Sequence, residues 1–424
     1  MRRRAALETV GLLTTSYPRF DGDPAGSFVD GYARCLATAG LRVEVLAPEP
    51  RDGRPTPARG GPEVRWVPYI RPRGALARTF YGAGVPDNVR VDPRAWPGLL
   101  TFPLAQWTAA LRRVGRWDAI VSHWALPSGL VAGAVRGRRS HLAVLHGADV
   151  HLLRRLPIRR AVLRRLAAGA DRLQLVSDAA RDELCGWLPG PEGEALRART
   201  FVQPMGFDPL PPGPSRAEAR RMLGAARFVV LALGRLVPIK GLDVLVDAAR
   251  GLPLEVWIAG DGPRRGALEE QARRLGVRAR FFGAVAGSRK HALLRAADAL
   301  AIPSRPTPSG RTEGLPVVAL EGADAGLPLV VSASGGLPRL FRHERAALVV
   351  PPGDAGALRA ALERLRTDPA LRRGVSGAAA RVAAEHRWSS VAPRLLAALE
   401  PSALAPAGSM PHDRRTPRWR GEAG

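Results

Sequence analysis

Cysteine is almost missing from this chain. Cys35 and Cys185 are the only two, far apart and each without a second cysteine nearby. Neither a disulfide framework nor a zinc knuckle can be built from them, and a reducing compartment fits. Lysine is equally scarce: Lys240 and Lys290 stand alone among 64 basic residues, and the rest are arginine. Aromatic residues make up 5% of the chain, too few for a platform on which bases stack. No run of about 20 apolar residues occurs, so no transmembrane helix is expected. Arg2, Arg3 and Arg4 precede a partly apolar stretch, as in a secretory leader. Glu8 and Thr9 interrupt that stretch and no small-residue cleavage site follows, so it reads as a first buried strand and the protein is expected to be cytoplasmic.

What the chain does have is 424 residues, 46% of them hydrophobic, enough for two domains of about 200 residues each. Its formal charge of +26 invites a nucleic-acid partner. Ala, Gly, Pro and Arg are abundant together, however, which is a bias spread over the whole surface and not a patch. No nucleic-acid partner is expected.

Apolar runs and helical stretches alternate. Thr9–Thr15 reads as a strand, Ser27–Ala39 as a helix closed by Gly40, and Leu41–Ala47 as a strand. Residues 118–122, 142–145 and 173–177 are further short strands. Five prolines between Pro204 and Pro214 break the rhythm and mark a linker. The alternation then restarts, with strands at 228–233, 254–259, 280–282, 299–302, 329–332 and 347–349. Such a pattern predicts parallel sheets covered by helices on both faces, with ligands beyond the carboxyl ends of the strands. The fold class is therefore α/β, with two Rossmann-like doubly wound domains facing across a cleft: residues 1–208, residues 209–400, and a mobile tail from 401 to 424.

Three motifs carry chemistry. Glu313-Gly314-Leu315-Pro316 is followed by Glu321. Pro316 suits the first turn of a helix, Glu321 lies inside that helix, and the free N–H groups at its start suit an anion. The same spacing also fits an exposed helix carrying two surface acids. Gly234-Arg235 and Lys240-Gly241 follow a strand, where a cation pair suits a pyrophosphate. Leu145-His146-Gly147 follows a strand in the first half, which would aim His146 at the cleft, although a lone histidine is more often a cap or core residue.

In order and spacing these motifs resemble the family 4 glycosyltransferases, enzymes of GT-B fold that retain anomeric configuration. Pro204-Met205-Gly206-Phe207-Asp208, Gly260-Asp261-Gly262-Pro263, Pro303-Ser304 and Gly335-Gly336-Leu337-Pro338 complete the match. The resemblance implies a nucleotide diphosphate-sugar donor and a glycan or lipid-linked acceptor, in envelope or exopolysaccharide synthesis. It implies that Arg235 and Lys240 hold the diphosphate and that Glu321 binds the ribose. Glu313 would lie at the sugar, and the Gly314 and Leu315 amides at the distal phosphate. Gly26 would sit in the loop that meets the donor, His146 would contact the sugar near the reacting carbon, and the last helices near Trp388 would cross back onto the first domain. Two positions depart from the family pattern: Ala25 stands where a glycine is usual, and Arg339 where a glutamate is usual.

Asp21-Gly22-Asp23 has the look of a metal site, but its Gly-rich loop is that of an ordinary turn, so no cofactor and no metal are expected. Residues 260–266 suggest a dinucleotide fingerprint whose third glycine falls one position late, with Arg278 and Arg280 where an acid is needed. An NAD(P)-dependent dehydrogenase and a nucleotide-sugar epimerase remain alternatives. Residues 136–165 hold nine arginines and one acid, Asp149. Their pairs recur every five residues, which reads as a solvated helix, with peripheral contact to an anionic membrane at the inner face of the plasma membrane as the second reading.

Overall fold

The computed structural model describes residues 7–23, 25–51, 55, 60–82, 84–308, 310 and 312–400. The expected tail and Arg2–Arg4 lie outside the described residues. Among those described, the strands form two sheets. The first contains β1 (Thr9–Leu13), β2 (Arg42–Pro48), β3 (Glu63–Val67), β4 (Ala119–His123), β5 (Ser140–Leu145), β6 (Arg172–Leu175) and β7 (Thr200–Val202). Their spatial order is β3-β2-β1-β4-β5-β6-β7. The second contains β8 (Phe228–Leu233), β9 (Leu254–Ala259), β10 (Ala279–Phe281), β11 (Ala299–Ile302), β12 (Leu329–Ser332) and β13 (Leu348–Val350), in the order β10-β9-β8-β11-β12-β13. All neighbours run parallel.

The chemistry of the strands explains the arrangement. Central strands such as β4 and β11 are buried along their whole length, as parallel strands covered on both faces must be. In the second sheet one face packs under helices carrying Leu245, Leu268 and Leu362, the other under helices carrying Leu293, Leu320 and Ala379. Each sheet begins at its centre and reverses direction once, between β1 and β4 and between β8 and β11. A crevice opens at such a reversal, beyond the carboxyl ends of the strands. The loops that carry Gly26, Lys240 and Glu313 leave from three of these strands, β1, β8 and β11.

β3 and β7 were not expected. Both are short edge strands, and charged residues in Glu63-Val64-Arg65-Trp66-Val67 hide its apolar alternation. Pro316 is the residue before its helix, Val317–Asp324, and not part of the first turn. It is extended there, and the helix begins one residue later.

The chain crosses between the halves twice, side by side. Phe207, within the proline-rich stretch, pairs with Arg387: the Phe207 N–H donates to His386 O at 3.3 Å and the Trp388 N–H donates to Phe207 O at 3.1 Å. The final helix, Trp388–Leu399, then buries Trp388, Val391, Leu395 and Leu399 in the core of the first half. The Trp388 indole fills the space beside Gly31 and Gly206, where a Cβ on either glycine would approach it to 2.6 and 2.4 Å. Arg387 anchors the crossing to the second half through Asp324 at 2.6 Å. Trp388→Ala should empty this wedge and lower unfolding free energy by about 3–5 kcal/mol, the usual range for a large buried aromatic. Urea denaturation followed by circular dichroism measures it, and a change under about 1 kcal/mol would show that the crossing is not held by packing.

Candidate active site

Lys240 stands at the end of a short turn after β8, and its Nζ meets Glu313 Oε1. The buried Ser304, just past β11, donates its hydroxyl to Glu313 Oε2. Two loops from neighbouring strands thus hold one carboxylate by both oxygens. The Lys240 stem lies over Gly234, whose added Cβ would come 3.1 Å from Lys240 Cε. Arg235 stands exposed on the same loop.

The glutamate's loop is backed from behind. The Gly336 N–H donates to Gly314 O at 2.9 Å, which ties the Gly-Gly-Leu-Pro segment to it. From the front it faces the first half: a Cβ on Gly147 would lie 3.5 Å from Gly314 Cα. Glu313, Gly314 and the turn after β5 are therefore opposite lips of one crevice. Leu315, partly buried, packs against the core beneath. Arg339, the residue out of family pattern, reaches across the crevice toward Asp178 and Asp182 at 3.8 and 3.9 Å.

A second ion pair lies on the helix after the first. Lys290 Nζ is 2.7 Å from Glu321 Oε1. Lys290 also lines a cavity of about 240 Å³ between the halves, with Ala286 and Gly287 on its own side and Tyr17, Asp30 and Arg34 opposite. Sequence reasoning gave Lys290 no role, although its rarity was the available signal. Both lysines of the chain pair with the two glutamates singled out from the sequence.

Gly26 begins the helix Ser27–Thr38 at φ 70°, and a Cβ there would meet Ser16 O at 2.6 Å. No other residue fits that turn without moving the loop. Ala25, beside it, is partly buried and its N–H donates to Asp23 at 3.1 Å. Asp23 is a loop staple. Burial pushes its carboxyl up, but the Arg19 side chain and backbone and the Ala25 N–H outweigh this and hold it below the usual carboxylate range. Gly260 and Gly262 are equally committed. A Cβ on them would lie 1.8 Å from Gly234 O and 2.6 Å from Leu236 O, so this turn packs on the Gly234–Leu236 backbone and does not stand open to a dinucleotide.

His146 comes to the crevice but turns inward. Its Nε2 lies 3.2 Å from Nδ1 of His123, at the end of β4, and its ring sits against Trp124 and Phe28. Burial lowers its pKa to about 3, so the imidazole is neutral near pH 7. His123 was not anticipated; it occupies the end of the strand next to β5, and that adjacency is invisible in sequence. Asp149 receives the His146 N–H at 2.6 Å and the Ala125 N–H at 3.0 Å, holding both turns together.

Two doubly wound sheets that oppose their crevices, with cation-held carboxylates on one lip, define a glycosyltransferase of the GT-B type. Residues 227–368 match the family model described as Glycosyl transferases group 1, and residues 25–209 match Glycosyltransferase Family 4. The chain belongs to this family. It is 32% identical to the GDP-mannose-dependent alpha-(1-6)-phosphatidylinositol monomannoside mannosyltransferase of Mycobacterium tuberculosis, over 70% of this chain and 80% of that one. It is 30% identical to the D-inositol 3-phosphate glycosyltransferase of Actinosynnema mirum, over 89% and 92%. Among solved structures, sucrose-phosphate synthase from Thermosynechococcus elongatus superposes with a TM-score of 0.69 at 23% identity, covering 92% of this chain and 97% of that one. Anabaena HepE in complex with UDP-glucose superposes with a TM-score of 0.66 at 19% identity, covering 91% and 98%. These two likenesses bear on the fold.

Burial pushes the Asp149 carboxyl up to about 7, against the pull of its two N–H donors. The folded state therefore keeps a proton that the unfolded chain releases near pH 4. The stability this group contributes is full below about pH 4 and is lost as pH rises through about 7. Asp149→Asn should remove that slope, leaving the variant gaining on the wild type between pH 5 and pH 8 in thermal denaturation. Parallel pH profiles for the two proteins would show that Asp149 does not titrate there.

Proposed function

We propose that this glycosyltransferase moves a sugar from a nucleoside diphosphate-sugar to a hydroxyl of a glycan or lipid-linked acceptor, with retention of configuration and without a metal. The envelope or an exopolysaccharide is the proposed setting. The supporting observation is Glu313, gripped by Lys240 and Ser304 at the reversal point of the second sheet.

The reaction breaks the bond between the anomeric carbon and the distal phosphate oxygen. The diphosphate leaves with the electron pair, and an oxocarbenium-like carbon is left behind. Leaving-group charge is the main obstacle. In this reading Arg235 and Lys240 meet it as fixed positive potential, helped by the Gly314 and Leu315 amides ahead of the helix Val317–Asp324. A lysine ammonium has three donors, so Lys240 can serve Glu313 and a phosphate oxygen together. The acceptor oxygen attacks the face that the diphosphate leaves, and its proton passes to a phosphate oxygen. Glu313 stabilises positive charge developing on the sugar, and Glu321 takes the ribose. Gly26 brings its loop to the donor. His146, neutral and held by His123, acts as a hydrogen-bond partner near the sugar and not as a base.

The phosphatidylinositol mannosyltransferase similar to this chain is named for GDP-mannose, so GDP and GDP-mannose are the first ligands to test. In a thermal-shift series with GDP, UDP and ADP, one nucleotide should raise the melting temperature in a concentration-dependent way. Glu313→Gln should leave that shift intact and lower turnover by about 10²–10⁴. A near-normal variant removes Glu313 from the mechanism. Activity should survive chelator; loss in EDTA with recovery on adding Mn²⁺ or Mg²⁺ overturns the metal-free reading. Release of an isomerised sugar without acceptor would assign an epimerase instead.

A further inference from the structure

The helix Pro97–Leu111 is inverted in character. Its inner face buries Gly98, Phe102, Gln106 and Ala110 against the first sheet. Its outer face carries Leu100, Leu104, Trp107 and Leu111, with Trp96 just before it continuing the spacing of one helical stripe, and all five are exposed. Leu100 is 80% exposed, Leu104 61% and Trp96 58%. No charged residue occurs between Arg94 and Arg112, in a chain of which 24% is charged. Solvated helices place charge outward; this one places tryptophan and leucine there.

The rim of the stripe is positive. Arg90 and Arg94 precede the helix, and Arg112 and Arg116 follow it, all exposed. The carboxylates nearby are engaged: Asp92 by Arg78 and Arg94, and Glu44 by Arg113 and Arg65. Among the described residues Arg90, Arg112 and Arg116 meet no carboxylate within salt-bridge distance. A second copy docking here by two-fold symmetry would bring these arginines against themselves, on a chain of net charge +26. An anionic lipid surface pairs with them instead. Tryptophan prefers the boundary between headgroups and acyl chains, and a helix about 22 Å long lies in that boundary and does not span the bilayer.

We propose that the outer face of Pro97–Leu111 seats the protein on an anionic membrane, its tryptophans and leucines entering the interface and its flanking arginines meeting headgroups. This replaces the arginine-rich segment 136–165 as the contact surface. That segment divides into β5 and the helices Gly147–Arg154 and Arg159–Gly169, and Arg136 and Arg164 spend their charge on Asp171 and Glu192. The placement also suits transfer to a lipid-borne acceptor. The Gln106 side chain, on the inner face, donates to Thr14 O at 3.1 Å, and Thr14 opens the loop that leads to Gly26 at the crevice. The membrane-facing stripe is thus one helix diameter from the loop of the proposed donor site.

The experiment is co-sedimentation of the full chain with vesicles of phosphatidylglycerol and phosphatidylcholine, beside vesicles of phosphatidylcholine alone. Binding should require the anionic lipid and weaken in high salt. The Leu100→Glu/Leu104→Glu variant, altered only on exposed positions, should lose at least about tenfold in binding while keeping the wild-type melting temperature. Arg112→Gln/Arg116→Gln should lose about fivefold per arginine on anionic vesicles alone. Wild-type protein that stays in the supernatant, or a leucine variant that binds as the wild type does, overturns the proposal. A dimer in sedimentation velocity that the leucine variant converts to monomer, without vesicle binding, assigns the face to self-association and also overturns it. None of these readouts uses sugar transfer, so they fail or succeed independently of the proposed reaction.

Discussion

A carboxylate withdrawn from water costs several kcal/mol unless both its oxygens find partners. Glu313 finds Lys240 and Ser304, and in doing so fixes two loops that leave adjacent strands of the second sheet. The geometry of the crevice follows from that meeting. Gly336 braces the loop from one side, Gly147 of the other half stands before it, and Arg339 reaches over toward Asp178. Lys290 and Glu321 repeat the device further along, beside the cavity that both halves line.

Much of the fold was legible because parallel strands announce themselves. Phe228–Leu233, Leu254–Ala259, Ala299–Ile302 and Leu329–Ser332 are mostly apolar runs between helices, and the structure has them residue for residue. Edge strands carry no such mark: Glu63–Val67 and Thr200–Val202 are held by one neighbour each, and their short, part-exposed sequences read as loop. Within the site, Lys240 and Glu313 were each visible, the first by its rarity and the second by its spacing. Their contact was not, because it joins residues separated by three helices and three strands. His123 was missed, and Ser304 was named in a motif but given no role, for a related reason. Each matters through the neighbour that strand order gives it, and strand order is not written locally.

The surface was the hardest part to read. The arginines of residues 136–165 drew attention by composition, yet the structure spreads them around one strand and two helices and gives Arg136, Arg154 and Arg164 carboxylates. Residues 97–111 carry no charge and so drew no functional reading from the sequence. Only packing shows that half of its apolar residues face outward. Periodicity says that a helix has two faces; it does not say which one the protein keeps.

The wedge of Trp388 has a temporal consequence. The first half of the chain leaves the ribosome long before residues 388–399, which finish its core. Until they arrive, the surface around Gly31, Tyr32 and Leu36 must wait uncovered while the second sheet assembles. Synthesis order and structural order therefore disagree in this protein: the half made first is the half completed last.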